Sequence, residues 1–244
     1  MHIAQTTAEL SDHIQTIKTN GLSIALVPTM GNLHQGHLDL VRHAKKTADA
    51  VVVSIYVNPT QFGANEDLDN YPRTLNDDCQ LLEELGVSLV FAPSDKDMYP
   101  NGFDMRTQIS VDHLANVLCG ARRPGHFNGV CIIVTKLLNL VKPDYAIFGQ
   151  KDLQQLSIIR HMVSDLCLDI PIIGIPTRRE KSGLAMSSRN GYLSSEQKAL
   201  AATIYSTLCD IKTQIENGEL TYASLCQHAA DKLDELGFRT DYLE

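Results

Sequence analysis

The chain has 244 residues, 43% hydrophobic and 20% charged, with 15 Gly and 9 Pro; this excludes disordered and fibrous classes and suits a large domain with or without a small one. Acidic residues (29) outnumber basic ones (21), a formal net charge of −8 and the opposite of a chain that lives on nucleic-acid phosphates. With no Trp, 8 Tyr and 6 Phe there is little for base stacking, and no apolar run approaches the ~18 residues of a membrane span.

The elements follow in chain order. Thr6-Thr7-Ala8-Glu9 fits a capping box that opens a helix closed by Gly21. Leu22 to Val27, bounded by Gly21 and Pro28, is too short for a helix and reads as a buried strand. Leu38, Val41, Ala44 and Ala48 share one helical face, and Ala50 to Val57 is a β-branched second strand. Leu75 to Leu85 reads as helix, Val87 to Phe91 as strand and Arg106 to Val111 as a more exposed strand. Phe127 to Leu140 is helix, Tyr145 to Phe148 strand, Leu153 to Leu166 helix and Ile170 to Ile175 strand.

Strands with continuous apolar runs, alternating with helices, predict a mostly parallel sheet covered on both faces, an α/β architecture. Beyond Pro176 the chain becomes polar. Ser194-Ser195-Glu196-Gln197 is a second capping-box pattern opening a helix to about Asn217; a helix from Thr221 to Leu236 and a strand from Phe238 to Leu243 follow. A boundary therefore falls near residue 176, separating 1–176 from a smaller α+β domain, 177–244. The six cysteines (Cys79, Cys119, Cys131, Cys167, Cys209, Cys226) include no C-x-x-C pair and read as reduced thiols. Met1-His2-Ile3-Ala4 opens no signal-peptide pattern, so a soluble cytoplasmic protein is expected.

In parallel α/β sheets ligands sit beyond the carboxyl ends of the strands, and the unusual residues cluster there. Pro28-Thr29-Met30-Gly31-Asn32-Leu33-His34-Gln35-Gly36-His37 links a strand to a helix start, where amides and the helix dipole suit phosphates and two imidazoles three residues apart can face a triphosphate. Taken alone, H-x-G-H serves a polar cap as readily as a ligand. Asn58-Pro59-Thr60-Gln61-Phe62-Gly63 and Gly149-Gln150-Lys151-Asp152-Leu153-Gln154-Gln155 follow two further strands, and Gln61 and Gln155 suit a small hydroxy acid. Met186-Ser187-Ser188-Arg189-Asn190, after Arg178, Arg179 and Lys181, suits pyrophosphate, although alone a Ser-rich basic loop is usually just solvated. Four such loops together are harder to dismiss.

H-x-G-H after the first strand with a Ser-Ser-Arg signature after the last resembles the HIGH/KMSKS nucleotidylyl transferases. PTMGNLHQGH, YVNPTQFGANEDLDNYPRT, RPGHFNGV, FGQKDLQQL and MSSRN, in that order, resemble the pantoate–β-alanine ligase family across the whole chain. The resemblance implies a Rossmann-like nucleotide- and pantoate-binding domain (1–176), a C-terminal lid (177–244) and ATP-dependent joining of pantoate to β-alanine through pantoyl adenylate. It assigns ATP to Met30, Gly31, Asn32, Leu33, His34, Gln35, Gly36 and His37, to Gly149, Gln150, Lys151 and Asp152, and to Arg178, Met186, Ser187, Ser188 and Arg189.

His34, His37 and Lys151 are the implied catalytic set. His37 matches a position usually labelled proton donor, but carboxylate attack on phosphorus needs no enzyme proton, so charge stabilisation is the physically preferred role. Pantoate falls to Gln61, Gln155 and Asn58, and β-alanine to Gln61. The resemblance also implies Mg²⁺ held mainly by ATP oxygens, with no metal site of the protein's own, Asp77 and Asp78 being candidates for outer support. Arg122 and Arg123 are lesser candidates for substrate contact, and a homodimer is implied. Family chains continue beyond Glu244, so the sequence reads as naturally short or truncated. A small cytidylyl- or adenylyltransferase would share H-x-G-H but not Gln61 with Gln155; a nucleotide-binding regulatory module would have no use for the second polar pocket. The charge disfavours a tRNA synthetase remnant.

Overall fold

In the computed structural model, which describes residues 1–64, 66–104 and 107–244, the apolar runs form one parallel sheet. Its strands are β1 (His2–Ala4), β2 (Ile24–Thr29), β3 (Ala50–Ile55), β4 (Leu89–Phe91), β5 (Tyr145–Gly149) and β6 (Ile172–Ile175). They lie in the order β1-β4-β3-β2-β5-β6, and every neighbouring pair is parallel. Between them run α1 (Thr7–Thr19), α2 (Gln35–Thr47), α3 (Leu75–Glu84), the single turns α4 (Asp95–Met98), α5 (Asp112–Ala115) and α6 (Cys119–Arg122), then α7 (His126–Val141) and α8 (Leu153–Asp165).

Successive strand side chains point to opposite faces, so each strand feeds two cores. Ile24, Leu26, Val52, Leu89, Phe91 and Phe148 pack with residues of α1, α7 and α8. Ala25, Val27, Val51, Val53, Val90 and Ile147 pack on the other face with α2 and with Leu82 of α3. Burial on both faces is why these strands are apolar throughout instead of alternating. The chain winds one way from β2 through β3 to β4 and the other way from β5 to β6. The carboxyl ends of β2 and β5 therefore flank the switch point where α/β sheets open a crevice.

The capping box at α1 forms as its residues dictate, with the Glu9 amide donating to Thr6 Oγ1 at 3.2 Å and Glu9 Oε2 accepting from the Thr6 amide at 3.3 Å. Elsewhere pairing decided the outcome. β1 is too short to register in any periodicity and exists because it pairs with β4. The expected strand from Arg106 to Val111 does not form over residues 107–111, and Arg106 lies outside the described residues. Phe238 to Leu243 joins no ladder, since alternation makes a strand only where a neighbouring edge accepts it.

The chain divides at Met1–Pro176 and Thr177–Glu244. The second unit is helix-rich, with α9 (Ser195–Ala201), α10 (Thr203–Glu216) and α11 (Tyr222–Glu235), and among its residues the strand content reduces to one antiparallel bridge, Arg179 with Ala185. The helix expected from Ser194 to Asn217 divides at Ala202, where the Thr203 hydroxyl donates to the Leu200 carbonyl at 2.7 Å. Among the described residues, no helix is long and apolar enough to cross a membrane.

Candidate active site

The loop between β2 and α2 carries both histidines, and its course is set from its first residues. Thr29 Oγ1 donates to the Ser54 carbonyl of β3 at 2.7 Å and accepts from the Gly31 amide at 3.2 Å. Gly31 then takes φ +81°, where a Cβ would lie 3.1 Å from Asp78 Oδ2 and from Ile55 Cγ2, so the position needs glycine.

His34 caps α2. Its Nδ1 accepts from the Gly36 amide at 3.1 Å, and His37 Nδ1 accepts from the His34 amide at 3.3 Å. A ring nitrogen that accepts carries no proton, so both imidazoles are the Nε2–H tautomer while these bonds hold. Their centroids are 4.0 Å apart. Burial, then the neighbouring His34 and the Lys151 ammonium, push His37 down to about 3; burial and Lys151 also lower His34. The pair is therefore neutral at pH 7 and presents two Nε2–H donors beside a cation. The helix start itself is less open than its sequence suggests, because the Gly36 and His37 amides are satisfied by His34 Nδ1 and the His34 carbonyl.

Lys151 reaches this position from the loop after β5, on the opposite side of the switch point, and keeps Asp152 at 3.3 Å. Gln150 turns back to the Gly174 carbonyl and Gln154 bridges the Leu114 and Val117 carbonyls, while Gln155, half-buried in the first turn of α8, has no such bridge among the described residues.

After β3, the 3-10 turn Pro59–Gln61 presents Gln61. Its Nε2 donates to Met30 Sδ at 3.2 Å, and its Oε1 accepts from Asn58 Nδ2 at 3.1 Å. Asn58 is only 1% exposed. Its second amide proton goes to the Gly129 carbonyl at 3.2 Å, and its Oδ1 accepts from Tyr99 Oη at 2.7 Å and Thr60 Oγ1 at 3.0 Å. With its polar capacity used inside the protein, Asn58 orients Gln61. Lys136 sits over the Tyr99 ring, 3.8 Å from its centroid, and secures the far end of this network.

Two of the lesser candidates are committed to partners inside the protein. Asp78 is 2% exposed, and its carboxylate accepts from the Asn32 amide at 2.9 Å, the Leu33 amide at 2.7 Å and Thr74 Oγ1 at 3.2 Å. Arg123 does not face substrate: Nε and Nη2 grip Glu66 at 2.6 and 2.5 Å, and Nη1 donates to His126 Nε2 at 3.0 Å. Because guanidinium only donates, His126 Nε2 must accept, so its Nδ1–H donates to the Gln61 carbonyl at 2.7 Å. RPGHFNGV thus holds the Gln61 turn from behind, a role its composition did not reveal. Arg122 is exposed.

In the second unit, the Met186 amide donates to the Arg178 carbonyl at 3.0 Å, so these two expected nucleotide contacts are neighbours across a turn at Gly183. Ser187 Oγ accepts from the Arg189 amide at 3.2 Å.

The family model described as pantoate-beta-alanine ligase matches residues 2–244. The chain belongs to the pantoate–β-alanine ligase family. It is 57% identical over 223 residues to the pantothenate synthetase of Idiomarina loihiensis, covering 90% of this chain and 78% of that one. It is 53% identical over 240 residues to that of Azotobacter vinelandii, covering 98% and 85%. A crystal structure of the Thermus thermophilus pantothenate synthetase matches with TM-score 0.90 and 43% identity, over 99% of this chain and 86% of that chain. The Francisella tularensis pantoate–β-alanine ligase, complexed with beta-gamma ATP and β-alanine, matches with TM-score 0.88 and 38% identity, over 100% and 89%. Within this family fold, the loops after β2, β3 and β5 converge on the crevice.

Proposed function

We propose that the chain joins pantoate to β-alanine with ATP, through pantoyl adenylate, in the crevice between the carboxyl ends of β2 and β5. The observation that carries the reading is the pair of neutral imidazoles, their ring centroids 4.0 Å apart, with the Lys151 charge near enough to lower both. A pantoate carboxylate oxygen attacks the α-phosphorus, the new O–P bond forms, and the bond to pyrophosphate breaks. Charge builds on the phosphoryl oxygens, where donors fixed in advance lower the barrier most. Imidazoles held neutral by burial act as hydrogen-bond donors and transfer no proton, in keeping with an attack that consumes none.

The β-alanine amine, once deprotonated, then attacks the acyl carbon; the C–N bond forms and AMP leaves with the bonding electrons. Gln61 faces pantoate and β-alanine and Gln155 faces pantoate. Met30 to His37, Gly149 to Asp152, Arg178 and Met186 to Arg189 serve ATP, the last two sets on the strength of the family resemblance. By the family resemblance, Mg²⁺ is assigned mainly to ATP oxygens, where it would supply charge neutralisation. By the same resemblance the chain works as a cytoplasmic homodimer.

The test is pyrophosphate release from ATP and Mg²⁺ with pantoate, without and with β-alanine. Near-stoichiometric release with pantoate alone, becoming multiple turnover once β-alanine is added, is expected. Release that requires β-alanine from the first turnover would overturn the adenylate order.

A further inference from the structure

Asp78 lies on α3, outside every loop assigned to a substrate, yet it is more deeply buried than any of the three side chains placed at the phosphates. A buried carboxylate is tolerated only where donors satisfy it. Here two of the three are consecutive backbone amides of the nucleotide loop, Asn32 and Leu33, at 2.9 and 2.7 Å; the third is Thr74 Oγ1 at its own helix start. The loop it grips turns through the left-handed region, with Gly31 at φ +81° and Asn32 at φ 49°, backbone that a free chain leaves readily. The next residue is His34, whose amide and ring begin the cap that fixes both imidazoles. Leu82, fully buried one turn further along α3, seats the helix in the core beneath the sheet, so the grip is anchored in the fold.

We infer that Asp78 is a positioning residue: its carboxylate holds the left-handed turn at Gly31 and Asn32, through the Asn32 and Leu33 amides, so that His34 and His37 present their donors to ATP. The inference rests on reading that loop as the ATP site. It assigns Asp78 first to ATP use, because Gln61 is held by Asn58 and His126 from other elements and meets the gripped loop through Met30 Sδ at 3.2 Å.

The full chain would be compared with Asp78→Asn, Thr74→Val and His37→Ala by pyrophosphate-release kinetics, by titration with a non-hydrolysable ATP analogue and by thermal melting. Asparagine keeps the shape but turns an NH₂ group toward an amide donor. Asp78→Asn should therefore lower kcat/KM for ATP by about tenfold to a hundredfold, with KM for pantoate and β-alanine unchanged. Thr74→Val removes one donor and should lower the same ratio a few-fold; if Asp78→Asn does not fold, this variant alone decides. Loss in proportion to folded fraction, with all three KM values unchanged, would mean a merely structural residue and overturn the inference. So would a normal Asp78→Asn enzyme beside an inactive His37→Ala. Normal turnover by His37→Ala would instead sink the ATP reading of the loop, and the inference with it.

Discussion

His34 and His37 show how one residue type acquires opposite uses at its two ring nitrogens. Nδ1 of each is spent on a backbone amide, which leaves Nε2–H as the working donor. His37→Ala removes a donor aimed at developing charge and should cut pyrophosphate release by about a hundredfold or more, as Lys151→Ala should; near-normal rates in both variants would refute the site. Titration gives an independent check. The folded His37 titrates at about 3, below its ordinary value of 6.5. Between these values the unfolded chain binds the proton and the folded chain does not, so stability falls as pH drops from 6.5 toward 3. His37→Gln should make the melting temperature less sensitive to pH in that window, and an unchanged slope would show that burial is not depressing this group. Gln61→Ala should raise KM for pantoate and β-alanine while leaving the affinity for ATP near that of the parent, readable by the same coupled assay.

At the scale of elements, the site depends on how closely α7 approaches the Pro59–Gln61 turn. Gly129 permits that contact: a Cβ there would lie 2.2 Å from the Thr60 carbonyl oxygen, closer than any real side chain comes to backbone. Gly129→Ala must push the turn away and break the Asn58 bond to the Gly129 carbonyl. Its expected signature is a raised pantoate KM with modest loss of stability, about 1–3 kcal/mol by denaturant titration. A core substitution on β5 should behave in the reverse way. Ile147 is fully buried between α2 and the strands around it, and Ile147→Ala should cost about 2–5 kcal/mol while the substrate KM values of the remaining folded enzyme stay put.

For the whole molecule, the parallel order β1-β4-β3-β2-β5-β6 gathers three loops that lie far apart in the chain. The homodimer assigned by resemblance predicts twice the chain mass in light scattering at micromolar concentration, and a monomer that turns over normally would remove it from the function. Much of this molecule was legible in its residues. Continuous apolar runs announce strands buried on two faces, Thr6 with Glu9 announces a helix start, and the H-x-G-H and Gln61 loops stand, as read, at the carboxyl ends of such strands. These are local signals, carried by residues within a few positions of one another.

What stayed hidden depends on partners distant in sequence. A three-residue strand such as β1 exists only beside β4, and Phe238 to Leu243 has the alternation of a strand but no edge to join. Asp77 and Asp78 look alike on a helix; burial against residues 32 and 33 alone makes Asp78 an anchor for the histidine loop. Asn58 and Arg123 carry groups that can bind ligands, and folding committed those groups to Gln61, Gly129, Glu66 and His126. The sequence by itself determined which residue types stand at the ends of which strands. Only the tertiary structure decided which of their donors and acceptors remain for a ligand, because buried polar groups take protein partners wherever packing supplies them.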